Sequence, residues 1–175
     1  MPDIQTRMID FSSNGPQGPT TPGYLAMPAQ AGRFPGIVVI QEWWGLVPHI
    51  KDVTERFARG GFVALAPDLY HGQAADEPNE ARKLAMALDR ERAVQEILAA
   101  SHFLKSLDEV SPKKIGVVGW CMGGGLALST PSSTTPARRS ITRRLPKMPG
   151  NARWTGSKNI YGKGTVSSQL NLIQI

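Results

Sequence analysis

Blocks of apolar residues along the chain predict five strands. Alternating apolar and polar positions over 5–11 and 23–27 are typical of two short strands. The run 37–40 is continuously apolar and β-branched, which predicts a central strand covered on both faces. Apolar runs at 62–66 and 115–118 predict two further strands.

Segments with helical spacing separate the later strands. Apolar residues recur at helical intervals over 48–59 and 77–107, and the second region is predicted to break near Asp89. A run of small residues after 115–118 is typical of a further helix, which Pro131 ends early. This order of strands and helices predicts an α/β fold with a doubly wound, mostly parallel sheet.

Ligands of such sheets bind beyond the carboxyl ends of the strands. The segments that fall at those ends are 41–45, 68–72 and Cys121. We therefore expect Gln41, Trp44 and Tyr70 to contact a substrate. Trp43 and Trp44 could equally pack over the edge of the sheet, and the sequence leaves both alternatives open.

The segment Gly119-Trp120-Cys121-Met122-Gly123 contains the only cysteine of the chain. Gly-x-Cys-x-Gly between a strand and a helix is the sequence form of a nucleophile elbow, a turn so tight that the nucleophile lies in a strained backbone conformation. Both glycines are needed because a Cβ there would strike the neighbouring strand or helix. The start of a helix also favours the thiolate. Cys121 is therefore a candidate nucleophile; the alternative is an ordinary buried thiol.

Charge divides the chain into two parts. The 175 residues carry 20 Lys and Arg against 14 Asp and Glu, a net charge of +6, but every acidic residue lies within 1–130. Residues 131–175 hold eight basic residues, no acidic residue and no histidine. The basic excess belongs to this tail, so the body of the chain shows no nucleic-acid-binding surface.

The tail, residues 131–175, also differs in its apolar pattern. Its apolar residues follow neither the strand period nor the helix period until the short end at 170–175. We expect a disordered or irregular tail after a domain of residues 1–130, which would be the N-terminal part of an incomplete fold. The abrupt change is interpreted as an off-frame or aberrantly spliced segment; a selected basic arm is the alternative.

Several classes of protein are not favoured. A single cysteine cannot form an internal disulfide, no run approaches eighteen apolar residues, and Met1 is not followed by a signal segment. We expect a cytoplasmic protein that does not contact membranes. The three histidines are far apart and no phosphate-binding glycine loop occurs, so neither a metal site nor a cofactor is expected.

Three motifs make the chain resemble the dienelactone hydrolase family of α/β-hydrolases over roughly residues 5–130. They are Val-Val-Ile-Gln-Glu-Trp-Trp-Gly-Leu at 38–46, Ala-Pro-Asp-Leu-Tyr at 66–70 and Gly-Trp-Cys-Met-Gly-Gly at 119–124. Each motif alone is of limited specificity, but their order and spacing together are specific. The resemblance implies hydrolysis of a small ester or lactone, as by a carboxymethylenebutenolidase, through a Cys-His-Asp triad.

The resemblance also implies roles for individual residues. Cys121 matches the nucleophile, and Glu42 matches a carboxylate that contacts the resting thiol. The backbone N–H groups of Trp43 and Met122 match the oxyanion hole, and Arg82 matches an arginine that binds a substrate carboxylate. The family's triad Asp and His lie beyond residue 130, where this chain has neither residue type, so we expect it to be inactive.

Other polar residues have simpler interpretations. Asp68 follows a proline and precedes the nucleophile, which favours a turn acid over a catalytic one. His49 and His102 are predicted to lie on the surface. His71 follows a strand end and could serve as a substitute base, although a surface role is favoured.

Three functions remain open from the sequence. The first is an ester or lactone hydrolase represented by an incomplete chain. The second is a non-catalytic remnant that binds a small carboxylate ligand. The third is a binder of nucleic acid or acidic surfaces through the tail residues Arg138, Arg139, Arg143, Arg144 and Lys147. The oligomeric state is not predicted.

Overall fold

The computed structural model describes residues 2–12, 18–131 and 171–174, which form one sheet and the helices beside it. The strands are β1 (Ile4–Ser12), β2 (Thr20–Pro28), β3 (Phe34–Ile40), β4 (Val63–Pro67), β5 (Val110–Gly119) and β6 (Asn171–Gln174). The helices are α1 (Pro48–Arg59), α2 (Pro78–Ala87), α3 (Arg90–Ser106) and α4 (Met122–Ser129). The five predicted strands and the predicted break near Asp89 are confirmed, since Asp89 caps α3.

The sheet has the order β1-β2-β4-β3-β5-β6. Its centre, β4-β3-β5, is parallel, whereas β1 and β2 add to one side as antiparallel strands. The doubly wound α/β arrangement is confirmed, and the sheet predicted to be mostly parallel is mixed, with parallel pairs at its centre and antiparallel pairs on both sides. The parallel centre matters for function because it brings the carboxyl ends of β3, β4 and β5 to one edge.

Apolar side chains on both faces of β3 explain its continuous apolar run. Val38 and Ile40 belong to the core layer that contains α3 and α4. Ile37 and Val39 belong to the layer that contains α1. All four side chains are buried, as predicted for a central strand.

Strand β5 begins earlier than the predicted run at 115–118. Phe34 pairs with Val110 and Gly36 pairs with Ile115, so β5 advances five residues while β3 advances two. The extra residues form an irregularity in the ladder, with a polar, mostly exposed sequence at 111–114 that carries no apolar signal.

Strand β6 was not predicted. Its backbone pairs antiparallel with Gly116–Gly119, along the edge of β5. The short apolar end of the tail at 170–175 was the only hint of it, and residues 132–170 lie outside the described part of the chain. The tail was predicted to be disordered or irregular, and this end of it is instead a strand.

Helix α4 lies unusually close to the sheet. A Cβ on Gly119 would lie 2.5 Å from the backbone of Gly123, and a Cβ on Gly123 would lie 2.6 Å from the carbonyl oxygen of Gln41. Real Cβ atoms essentially never approach backbone atoms so closely. The need for both glycines, inferred from the sequence, is confirmed.

The replacement Gly123→Ala should destabilise the fold by about 1–3 kcal/mol, because the added methyl group would push α4 away from the Gln41 backbone. Urea unfolding followed by tryptophan fluorescence would measure the change in the free energy of unfolding.

Gly125→Ala is the matched control on the same helix. A Cβ there meets only the side chain of Arg90, at 3.7 Å. Alanine favours a helix over glycine by about 1 kcal/mol, so this variant should be unchanged or more stable. Equal losses for the two variants would contradict the close-packing account.

Candidate active site

Cys121 occupies the turn between β5 and α4 in a strained conformation. Its φ of 51° and ψ of −121° lie in a region that residues with a side chain rarely adopt. Cys121 is exposed, and its carbonyl oxygen accepts a hydrogen bond from the N–H of Gly125. The predicted strain at the elbow is confirmed. The strand, turn and short helix hold the thiol at the edge of the sheet rather than within it.

The register of β3 against β5 brings the first and third sequence motifs, at 38–46 and 119–124, together. Ile40, the last residue of β3, pairs in parallel with Gly119, the last residue of β5. Gln41 and Glu42 therefore leave the sheet beside the turn that carries Cys121. The close approach of α4 to the Gln41 carbonyl oxygen fixes this neighbourhood further.

The loops after β3 and β4 are hydrogen-bonded to each other, and we call them the paired loops (residues 41–45 and 68–75). The Gly45 and Ala74 backbones form an isolated antiparallel bridge. Gly45 has a φ of +96°, and a Cβ on it would meet the Gln73 carbonyl oxygen at 2.8 Å. The other bonds between the loops are Leu69 N–H to Gln41 Oε1 at 3.1 Å, Tyr70 hydroxyl to Trp43 O at 3.2 Å and Ala75 N–H to Trp44 O at 3.0 Å.

Tyr70 connects the paired loops to the elbow helix. Its hydroxyl lies 3.2 Å from the Trp43 carbonyl oxygen and 3.4 Å from Sδ of Met122. The residue is only 5% exposed. Burial raises the pKa of Tyr70 to about 12, so the hydroxyl keeps its proton at neutral pH. The structure thus brings Trp43, Tyr70 and Met122, all of them predicted site residues, into one cluster.

Asp68 shapes the second of the paired loops. Its two carboxylate oxygens accept hydrogen bonds from the N–H groups of Tyr70 at 3.1 Å and Gly72 at 2.7 Å. These bonds hold the loop in a turn in which His71 has a φ of 52°. The interpretation of Asp68 as a turn acid is confirmed.

His71 pairs with a buried acidic residue of α3. Its Nε2 lies 2.8 Å from Oε1 of Glu96, which is 5% exposed and also pairs with Arg92 at 3.4 Å. In the described part of the chain, no hydrogen bond joins His71 to the Cys121 thiol. Glu96 gave only a weak signal, a charged residue within the apolar face of a helix. His49 and His102 are exposed, as predicted.

The remaining predicted residues lie around this cluster. Glu42 and Trp44 are half-buried, and Arg82 is exposed on α2. Trp43 and Trp44 meet edge to face, with ring centroids 5.1 Å apart. Among the described residues, no hydrogen bond joins the Glu42 carboxylate to the Cys121 thiol. The predicted contact between Glu42 and the resting thiol is therefore not a hydrogen bond in this structure.

Gln41 is a structural residue at the centre of the site. It is fully buried, and its Oε1 accepts the hydrogen bond from Leu69 that joins β3 to the loop after β4. Its Nε2 has no hydrogen-bond partner among the described residues. One donor therefore remains available beside the elbow.

The described residues include no group of three or more His, Cys, Asp and Glu side chains that could hold a metal ion. None of their helices is long and apolar enough to cross a membrane.

The chain is similar to known proteins over the region that builds this site. The sequence profile of the dienelactone hydrolase family matches residues 21–142. Protein usf of Aquifex pyrophilus is 45% identical over 128 residues, which cover 70% of this chain and 53% of usf. Carboxymethylenebutenolidase 1 of Cupriavidus pinatubonensis is 35% identical over 114 residues, 59% of this chain and 47% of that protein.

A solved structure shows the same arrangement of elements. The structure of m3DLH superposes with a TM-score of 0.61 and 30% sequence identity, over 71% of this chain and 52% of m3DLH. The chain thus spans about half the length of the relatives it matches. Because the family profile covers well over half of the chain, including the paired loops and the elbow, the chain belongs to the dienelactone hydrolase family.

Proposed function

We propose that this chain carries the acylation half of a carboxylic-ester or lactone hydrolase, with Cys121 as the nucleophile. The observation that carries the proposal is the strained backbone of Cys121 between two glycines that tolerate no side chain. A buried structural thiol needs no such turn. The exposure of Cys121 at the carboxyl edge of the sheet gives further support.

The proposed first step forms a thioester. The Cys121 thiolate attacks the carbonyl carbon of the ester, and the carbonyl oxygen takes the negative charge. The backbone N–H groups of Trp43 and Met122 would stabilise this oxyanion. Collapse of the tetrahedral intermediate breaks the bond to the alcohol oxygen, which leaves with a proton from solvent, and the acyl group remains on sulfur.

The proposed second step is the hydrolysis of the thioester, and here this chain lacks a group. A base must activate water for attack on the acyl carbon. No Asp, Glu or His follows Thr130 in the sequence. Deacylation should therefore be slow, and the chain should not turn over at an enzyme's usual rate.

The charges around Cys121 bear on its reactivity. In this proposal the Cys121 sulfur lies at the N-terminus of α4, and the loop that carries Glu42 leaves β3 beside it. In the same proposal Arg82 binds a carboxylate of the substrate and Trp44 contacts the substrate, while the buried Gln41 and Tyr70 lie behind the substrate site rather than in contact with it as the sequence predicted. A small ester or lactone is the proposed partner, and no nucleic acid, membrane or cofactor is required.

The missing residues favour a second candidate function, the binding of a small carboxylate ligand without turnover. It shares the site and differs only in whether Cys121 becomes acylated.

The third hypothesis, binding of acidic surfaces, depends on Arg138, Arg139, Arg143, Arg144 and Lys147, which lie outside the described residues.

Mixing the chain with a p-nitrophenyl ester should release roughly one equivalent of p-nitrophenol rapidly, followed by release near the uncatalysed rate. The burst reports acylation, and the slow phase reports the missing base. Stopped-flow absorbance would resolve the two phases, and mass spectrometry would locate the acyl group on Cys121.

Cys121→Ser is the control, because a serine hydroxyl without a base does not attack at neutral pH. It should abolish the burst. Sustained turnover at ordinary esterase rates would contradict the proposed inactivity and point to a base within the chain. His71→Ala would then test the first candidate.

Glu42→Gln should speed the alkylation of Cys121 by iodoacetamide at neutral pH, by roughly two- to tenfold, because it removes a negative charge from the loop beside the attacking sulfur. The rate constant is measured by loss of free thiol over time.

Glu109→Gln provides the same change of charge at the opposite end of β5, just before its first residue, Val110. Its alkylation rate should equal that of the unsubstituted chain. An unchanged or slower rate in Glu42→Gln would show that the two side chains do not meet.

A further inference from the structure

The Tyr70 hydroxyl lies between the two residues whose backbone N–H groups form the proposed oxyanion hole. It reaches the carbonyl oxygen of Trp43, on the loop after β3, and Sδ of Met122, the first residue of α4. We infer that Tyr70 is a positioning residue that holds these two N–H donors in a fixed relation to each other. This inference rests on the proposed acylation of Cys121.

Trp43 is held through the peptide groups on both sides of it. The Gly45 N–H donates to the Glu42 carbonyl oxygen at 3.3 Å, which fixes the peptide group that also contains the Trp43 N–H. Tyr70 donates to the carbonyl oxygen of Trp43 itself, which fixes the next peptide group. Loss of the Tyr70 hydrogen bond would remove one of these two constraints and let the Trp43 N–H rotate away from the oxyanion.

The contact with Met122 is the weaker of the two. A hydroxyl has a single proton, and a carbonyl oxygen is a stronger acceptor than a thioether sulfur. The Tyr70 proton therefore belongs mainly to Trp43, and Sδ of Met122 packs against the hydroxyl at 3.4 Å. This packing keeps the first turn of α4 beside the loop that carries Trp43.

The Tyr70 side chain is itself well anchored. Its backbone N–H is bound to the Asp68 carboxylate, and its ring is almost fully buried. Because its pKa is raised to about 12, it remains a neutral donor across the pH range in which a thiol ionises. With its hydroxyl directed at Trp43 and so little of its surface exposed, Tyr70 is suited to hold the oxyanion donors rather than to offer contact area to a substrate.

Two reactions of the Cys121 thiol distinguish a positioning role of Tyr70 from a general structural role. Acylation by a p-nitrophenyl ester passes through an oxyanion, whereas alkylation by iodoacetamide does not. Tyr70→Phe should slow the acylation burst by about tenfold, less than the 10²–10³-fold typical of removing an oxyanion donor outright. Its alkylation rate should stay within about twofold of the unsubstituted chain.

Tyr24→Phe is the matched control. The Tyr24 hydroxyl donates to Glu55 on α1, away from the paired loops. This variant should change neither rate.

A trifluoromethyl ketone provides an equilibrium measurement as well, since its adduct with Cys121 carries an oxyanion. Tyr70→Phe should weaken the binding of this ketone by a similar factor, as followed by fluorine NMR.

The outcomes are distinguishable. An unchanged burst in Tyr70→Phe would overturn the inference while leaving the proposed function intact. Equal losses of acylation and alkylation would also overturn it, because they would show collapse of the elbow. If the unsubstituted chain shows no burst and forms no ketone adduct, the proposed function fails and this inference fails with it.

Discussion

The close contact between α4 and the end of β3 is the constraint on which the rest of the site depends. With no side chain on Gly119 or Gly123, the helix backbone rests directly on the Gln41 carbonyl oxygen. The turn between these two glycines has the strained conformation of Cys121, and the pairing of Ile40 with Gly119 places this turn beside the start of the loop after β3. The burial of Val38 and Ile40 against α3 and α4 stabilises the folded domain enough to hold that strain.

The hydrogen bonds between the paired loops fix the positions of the backbone groups beside this contact. Bonds from the loop at 68–75 hold the side chain of Gln41 and the carbonyl groups of Trp43 and Trp44. Backbone N–H groups stabilise an oxyanion only if they are aimed before the reaction begins, because reorienting them during the reaction would cost the free energy that they supply. The loop after β4 therefore contributes to the site through the positions it imposes on the loop after β3.

Local patterns made part of this predictable from the sequence. The two glycines around Cys121 predict a tight turn, and a proline followed by Asp68 predicts an acid that stabilises a turn. Both predictions were possible because the residues involved lie within a few positions of each other. The bond between Tyr70 and Met122 joins residues 52 positions apart, and the pair of His71 and Glu96 joins residues 25 positions apart. Such contacts depend on strand register and helix packing, which no local pattern encodes. The irregularity in β5 and the pairing of β6 escaped prediction for the same reason.

The proposed use of sulfur as the nucleophile determines which half-reaction the described residues can support. A serine hydroxyl is almost entirely protonated at neutral pH and needs a base before it attacks, whereas a few per cent of free thiols are already ionised and the thiolate is intrinsically nucleophilic. In the proposed function, attack on the carbonyl requires only the Cys121 thiolate and the backbone N–H groups of Trp43 and Met122. The return step requires water to be activated, and in the described part of the chain no histidine is hydrogen-bonded to the Cys121 thiol. A cysteine elbow can therefore support acylation without the base that deacylation requires, whereas a serine elbow needs a base for both steps.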